Sequence, residues 1–387
     1  MNTIYFDNSA TTPLLDKVKA EMLSSMENYG NPSSLHNLGF NAEKILKEAR
    51  QTIANALGAR SIKGDEIVFT SCGSEANNLA LFGTAYAKKR RPGAKILITD
   101  SEHPSVENAA KRLEEDGFSV VRIRTAGGVL DIKQLRAEAD KSVLLASFML
   151  VNNETGAMYD VAEAFKIIKG ANPDAVTHCD AVQGFLKTSF SPRSLYADLI
   201  SISAHKIHGP KGVGALYISP DITKAKKIIP WLIGGGQEFG FRSGTENTIG
   251  IAGFGEAVKH GFATLTPDIS KTEALRDYII ENLPAEIQVN MPVGARAPHI
   301  INCTLPQIKS ETMLHFLSSR GICISSGSAC SSHSHTPSRA LLAFGLDSFS
   351  ADCSIRISLS AQNTKEEADA ILSALREGID QLIKIRK

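Results

Sequence analysis

Lys206 is the residue around which chemistry can be built in this chain. It follows a short apolar run, residues 198–202, that reads as a strand buried on both faces. Gly209, Pro210 and Gly212 come after it, residues that end regular structure and let backbone approach a ligand. A lysine delivered at the end of a buried strand is costly unless it is paired or loses its charge. Condensation with a carbonyl removes the charge, so the reading is a Schiff base between Lys206 and pyridoxal 5′-phosphate. Taken alone, such a lysine is more often part of a surface loop. The decision rests on other parts of the chain.

Four further signals each follow an expected strand. Residues 70–78, TSCGSEANN, succeed the run 67–70 and open a helix. Small residues there expose backbone N–H groups where the helix dipole favours an anion, so a phosphate fits. Ser74 also reads as an ordinary helix N-cap. Asp180 ends the run 176–180, and a carboxylate there can pair with a protonated pyridine nitrogen, with Gln183 bonding the ring's phenolate oxygen. A helix cap is the plainer reading of Asp180. His103 follows 95–99 and can stack on the ring and move a proton, or can simply begin a helix. Asn152 and Asn153 follow 143–149 and offer amides to a carboxylate, or make a turn. Each signal is weak singly; their common position after strands is what carries weight.

The elements that must position these residues alternate. Apolar runs at 67–70, 95–99, 118–123, 143–149, 176–180, 199–203 and 213–218 are separated by helical patterns, which implies an α/β fold with a mostly parallel sheet covered on both faces. Ligands of such sheets sit outside the carboxyl ends of the strands. An earlier helix is expected to turn Phe40, Ile45, Ala49, Ile53 and Leu57 inward. Beyond residue 250 the texture becomes α+β. The expected division is a large domain at 14–255, with 1–13 and 256–387 forming a smaller one.

The 42 basic and 41 acidic residues leave no field to gather nucleic acid or an anionic membrane. The basic run 88–91 complements the end of an expected helix. No signal peptide or membrane-spanning window is expected, and six scattered cysteines without a CxxC pair suit a reducing cytoplasm. In the smaller segment, Cys330 lies in a Ser/Gly-rich stretch, SSGSACSSHSHTP, where a thiol can be displayed as a reactive thiolate. A metal reading of Cys330, His333 and His335 lacks a fourth ligand.

The chain resembles the cysteine desulfurases of the branch serving nitrogen fixation and iron–sulfur cluster assembly, within the fold-type I pyridoxal-phosphate enzymes. The likeness runs from YFDNSATTP at 5–13 nearly to the last helix. It includes GNPSS at 30–34, Glu102-His103, VNNE at 151–154, DAVQ at 180–183, SAHK at 203–206, RSGT at 242–245, SSGSAC at 325–330 and SIRIS at 354–358. Cys72 and Ser74 depart from the family's usual glycine and threonine. The resemblance implies a seven-stranded sheet in the large domain and a homodimer. It implies Lys206 as the Schiff-base lysine, Asp180 and Gln183 as ring partners, and His103 stacked on the ring. Gly73, Ser74, Ser203 and His205 would hold the phosphate, with Thr245 reaching in from the other subunit. Asn153 and Arg356 would bind the substrate α-carboxylate. The implied activity converts L-cysteine to L-alanine, with sulfur carried as a persulfide on Cys330 to an acceptor protein. Selenocysteine lyase, or another lyase or aminotransferase of the same fold, is the competing reaction. A cofactor-bearing scaffold without activity is the non-enzymatic one.

Overall fold

The computed structural model describes residues 3–59, 64–87, 93–326 and 337–384. Cys330, His333, His335 and the basic run 88–91 lie outside the described residues. The strands are β1 (Ile4–Tyr5), β2 (Ile67–Thr70), β3 (Lys95–Thr99), β4 (Ser119–Ile123), β5 (Val143–Met149), β6 (Val176–Asp180), β7 (Leu199–Ser203), β8 (Gly214–Ile218), β9 (Gln288–Val289), β10 (Ile300–Thr304), β11 (Ile322–Cys323), β12 (Ser325–Ser326) and β13 (Ser354–Ser358).

Seven of them form one sheet in the order β2-β8-β7-β6-β5-β3-β4. β7, β6, β5, β3 and β4 pair in parallel, whereas β8 runs antiparallel to both of its neighbours, β7 and β2. The reason lies in the connection. Only residues 204–213 join β7 to β8, too few for the helical crossover that a parallel neighbour needs. That tight return is what presents Lys206 at the carboxyl edge of β7.

Every residue of β2, β6, β7 and β8 is buried, as a sheet covered on both faces requires. Polar residues at its centre are paired. His178 bridges Ser147 Oγ at 2.8 Å and Ser201 Oγ at 2.9 Å across three strands, and burial brings its pKa down to about 3. Gly214 is needed for close approach: a Cβ there would stand 2.7 Å from the Cys72 carbonyl carbon and 3.0 Å from Gly73 N.

One core lies between the sheet and the helices Asn37–Leu57, Val161–Ala171 and Thr248–Ala263. Another covers the opposite face with Leu79, Phe82, Val106 and Leu113. A third belongs to the carboxyl-terminal segment, with Ile301, Met313, Ile355, Ile357 and Leu375 around Phe6. The helix Thr248–Ala263 runs unbroken through residue 255 and packs on the first core, with Gly255 against Ala49. Phe40 is 51% exposed, against the expectation of an inward position. The buried stripe of its helix is Ala42, Leu46, Ala49 and Ile53, a set that leaves Phe40 off the face.

β12, β13, β10 and β9 make a separate antiparallel sheet, in which Ser325 pairs with Arg356. The amino-terminal segment joins the two lobes. β1 pairs in parallel with β11, and the chain then crosses to the large sheet. There Thr12 N and Thr12 Oγ1 donate to His205 O at 2.9 and 3.0 Å.

Candidate active site

A cavity of about 310 Å3 opens at the carboxyl ends of the large sheet, within the usual size of a small-molecule site. Gly73, Ser74, His103, Asn153, Asp180, Gln183, Ser203, His205, Lys206 and Arg356 all line it. Thr245 does not line it and is exposed. Its segment is anchored beside the cavity by Arg242, whose Nε donates to Glu75 Oε1 at 2.8 Å.

Lys206 follows β7 in a short 3₁₀ turn, and its Nζ donates to Ser9 O at 2.6 Å and Ala10 O at 2.8 Å. Gln183 Nε2 donates to the same Ser9 carbonyl at 2.8 Å. Lys187 Nζ donates to Gln183 Oε1 at 3.3 Å. The Ser9 carbonyl can only accept, and Lys187 in its charged form can only donate, so together they fix the orientation of the amide: oxygen towards Lys187, NH2 towards Ser9 and the cavity.

Asp180 ends β6 and starts no helix. Its Oδ1 accepts from Val182 N at 3.0 Å and its Oδ2 from Asn77 Nδ2 at 2.7 Å. Asn77 also donates to Ser105 Oγ at 2.9 Å, which bonds His103 Nδ1 at 2.8 Å. Asp180 and His103 are thereby tied into one network through a residue that sequence reasoning passed over. Asn77 lies four residues after Gly73 on the same helix face, the signal by which it could have been found.

His103 caps the helix Pro104–Glu115, with Nδ1 accepting from Ser105 N at 3.2 Å. The proton of the neutral ring is therefore on Nε2. Burial lowers the His103 pKa, with Asp180 opposing and Lys206 reinforcing the shift. His205 is brought to about 4 by burial and by Lys206, Lys187 and Lys211, so at neutral pH both imidazoles are uncharged.

Ser74 is the second residue of the helix Gly73–Ala85 and does not cap it. The cap is Cys72, which makes no side-chain cap bond. The first amides of that helix are thus left without side-chain acceptors, the arrangement that receives an anion. Around them stand polar atoms without partners: Ser203 Oγ and Ser9 Oγ are both buried and unbonded. Gly73 has no room for a side chain, because its Cβ would stand 2.8 Å from Val182.

Arg356 is buried in β13. Its Nη1 donates to Asn153 O at 2.7 Å, and Nη2 to Asp7 Oδ1 at 2.9 Å and Ser325 Oγ at 3.1 Å. Its Nε–H is buried without a partner. Asp7 and Ser325 are further positioning residues that the sequence alone did not single out.

The chain matches the family described as Aminotransferase class-V over residues 4–371. The chain belongs to that family. Among curated relatives of this class-V chain, the cysteine desulfurase of Trichormus azollae is 38% identical over 387 residues, 99% of this chain and 94% of that one. A protein named cysteine desulfurase IscS, from Dictyoglomus turgidum, is 38% identical over 98% of this chain and 95% of its own. Among solved structures, a NifS-like protein superposes with a TM-score of 0.90 at 35% identity, covering 97% of this chain and 99% of that one. A structure titled SspA in complex with cysteine gives 0.80 at 32% identity, covering 94% and 100%. The fold of this class-V member is therefore fold-type I.

Beside the cavity, Glu102 is buried with Oε1 accepting from Thr99 Oγ1 at 2.7 Å and Met149 N at 2.9 Å, while Oε2 has no hydrogen-bond partner. Burial, with a contribution from Asp180, raises its pKa to about 8. Between its unfolded value near 4.5 and about 8 the folded chain binds the extra proton, so this group's contribution to stability declines as pH rises through that window. Glu102→Gln keeps the two accepted bonds without the titration. It is expected to flatten the decline of Tm between pH 5 and 8. An unchanged Tm profile would remove Glu102 as the cause.

Proposed function

We propose that this class-V aminotransferase is a pyridoxal-phosphate-dependent cysteine desulfurase that moves the sulfur of L-cysteine to Cys330 and releases L-alanine. The observation that carries the reading is the convergence of Lys206, Asp180, His103 and Arg356 on one cavity in a chain alike, over nearly all its length, to proteins named cysteine desulfurase.

The residues present fit the cofactor. The uncapped helix start at Gly73 and Ser74, with Ser203 and His205, suits its phosphate, and the partner's Thr245 would complete that end in a homodimer. Asp180 suits the ring nitrogen, Gln183 the phenolate oxygen and His103 the ring face, while Lys206 would hold the aldehyde carbon covalently. When bound, the cofactor supplies an electron sink that labilises bonds at the substrate's Cα and Cβ.

The chain's own residues do the rest. Asn153 and the unpartnered Nε–H of Arg356 bind and orient the α-carboxylate. Lys206, freed by the incoming amine, takes and returns the α-proton. His103, neutral with its proton on Nε2, can donate that proton within the cavity. The thiolate of Cys330 attacks the substrate sulfur. An S–S bond forms, the Cβ–S bond breaks, and its electron pair stays with the carbon skeleton, which leaves as alanine after protonation. Both flanks of the Cys330 segment support this. Ser325 Oγ donates to Asp7 at 2.6 Å beside Arg356, and Ser338 Oγ bonds Glu154. The four residues from Ser326 to Cys330 span at most about 14 Å.

The persulfide would pass to an acceptor protein for iron–sulfur clusters or thiolation, in the cytoplasm. No helix among the described residues is long and apolar enough to cross a membrane. Exposed Tyr29, Leu35 and Ile233 support a second copy covering apolar surface. Purified holoenzyme given L-cysteine and dithiothreitol should release alanine and sulfide in equal amounts. Absence of alanine would overturn the reading.

Arg356→Lys tests the carboxylate site. Lysine cannot reproduce the planar fork, and loss of a charge-assisted hydrogen bond worth about 1.5–3 kcal/mol corresponds to roughly a 10–100-fold rise in KM for L-cysteine. Cofactor content should not change. An unaltered KM would place the carboxylate elsewhere.

A further inference from the structure

A second cavity, of about 170 Å3, lies on the other side of Lys206, which among the described residues is the one that lines both. Its polar wall includes Lys187, His208, His260, His299 and Asp268, and Leu186 and Leu359 contribute apolar surface. His299 is 2% exposed, yet neither ring nitrogen has a hydrogen-bond partner. A buried polar group left unpaired costs about 1–3 kcal/mol, so something is wanted against that ring. Lys187 has one hydrogen bond, to Gln183, and no ion-pair partner among the described residues. Burial, with Lys206 and Arg356, brings its pKa down to about 7, and in the charged form, which an adjacent anion would favour, two of its three protons remain to be satisfied.

The charge around this cavity is mostly positive. The groups acting most strongly on His299 after burial are Lys187, Arg356, Arg276 and Lys206, all cationic. Asp268, the acid in the wall, is engaged by Thr264 Oγ1 at 2.6 Å. His208 spends its Nδ1–H on Pro13 O at 2.9 Å. Donors without acceptors in a predominantly cationic cavity call for an anion, and the volume limits it to a few heavy atoms.

We propose that this cavity is a binding site for a small monovalent anion, of halide or short-carboxylate size, held between Lys187 Nζ and the ring of His299. The site is distinct from the one that takes the substrate carboxylate, which uses Arg356 in the first cavity. An anion here faces the ammonium that orients Gln183 and the stem of Lys206, so its occupancy reports on the main site without entering it. The proposal stands whether or not the chain desulfurates cysteine.

The test uses holoenzyme and two probes, bromide and formate. Crystals soaked in bromide should show an anomalous peak within hydrogen-bond distance of both Lys187 Nζ and His299. Calorimetric titration of either probe should show one saturable site, weakened at least tenfold in His299→Leu. His299→Gln retains a donor and should keep most of the affinity. It also serves if the leucine variant fails to fold. Water alone in the cavity with no anomalous peak, or equal affinity in wild type and His299→Leu, would overturn the proposal.

Discussion

Replacing Lys206 with alanine is expected to lower alanine formation from L-cysteine by about 10³-fold or more, on the scale of a lost general base and covalent anchor. On the proposed mechanism two functions would go at once: the covalent hold on the cofactor and the amine that moves the α-proton. The fold should survive, because Lys206 Nζ is placed by two backbone carbonyls, Ser9 O and Ala10 O, and one of them also accepts from Gln183. Far-ultraviolet circular dichroism should therefore match the parent. The absorption band of bound cofactor should shift to that of a free aldehyde. Alanine formation near the parent rate, with the cofactor band unaltered, would dismiss Lys206 from both tasks.

Cys330→Ser is expected to fail differently. A hydroxyl cannot accept sulfur as a thiolate does, so alanine and sulfide production should fall by about 10³-fold. The absorption spectrum of bound cofactor should persist, and so should its response to added L-cysteine, because Lys206, Asp180 and His103 are untouched. Two of the other thiols are poor substitutes. Burial pushes the Cys303 thiol up to about 12 and Cys179 well above its ordinary value, with Asp180 and Glu102 adding to the latter. Sulfide release at the parent rate from Cys330→Ser would assign the acceptor role elsewhere. The two variants separate the halves of the reaction: one loses cofactor chemistry, the other only sulfur transfer.

Much of this site could be read before any coordinates, and the reason is local. Short β-branched runs ending in Asp180, Ser203 and Thr99 announce buried strands, and a parallel sheet puts whatever follows its strands on one edge. The reversal of β8 was not read, although the ten residues between β7 and β8 are too few for a crossover. Ser74 was misjudged as a possible cap because sequence cannot say which residue first adopts helical angles; Cys72 occupies that position. Phe40 was misjudged because apolar type alone was allowed to override helical phase. Asn77, Asp7, Ser325 and Lys187 act through partners 28 to 349 residues away, or through an amide whose orientation they fix. Such contacts leave little trace in local pattern.

The segment from Phe6 to Thr12 has a consequence for how the chain is made. Asn8 Nδ2 bonds Ser358 O across a separation of 350 residues, and Phe6 belongs to a core completed by Ile357 and Leu375. Residues 6–8 thus find their seats only when residues near 358 and 375 have emerged from the ribosome. The large sheet can form during synthesis, as domains generally do, but the carbonyls that grip Lys206 are not held in place until Ser358 is available to their segment. A nascent chain stalled before residue 354 should accordingly be structured and inert.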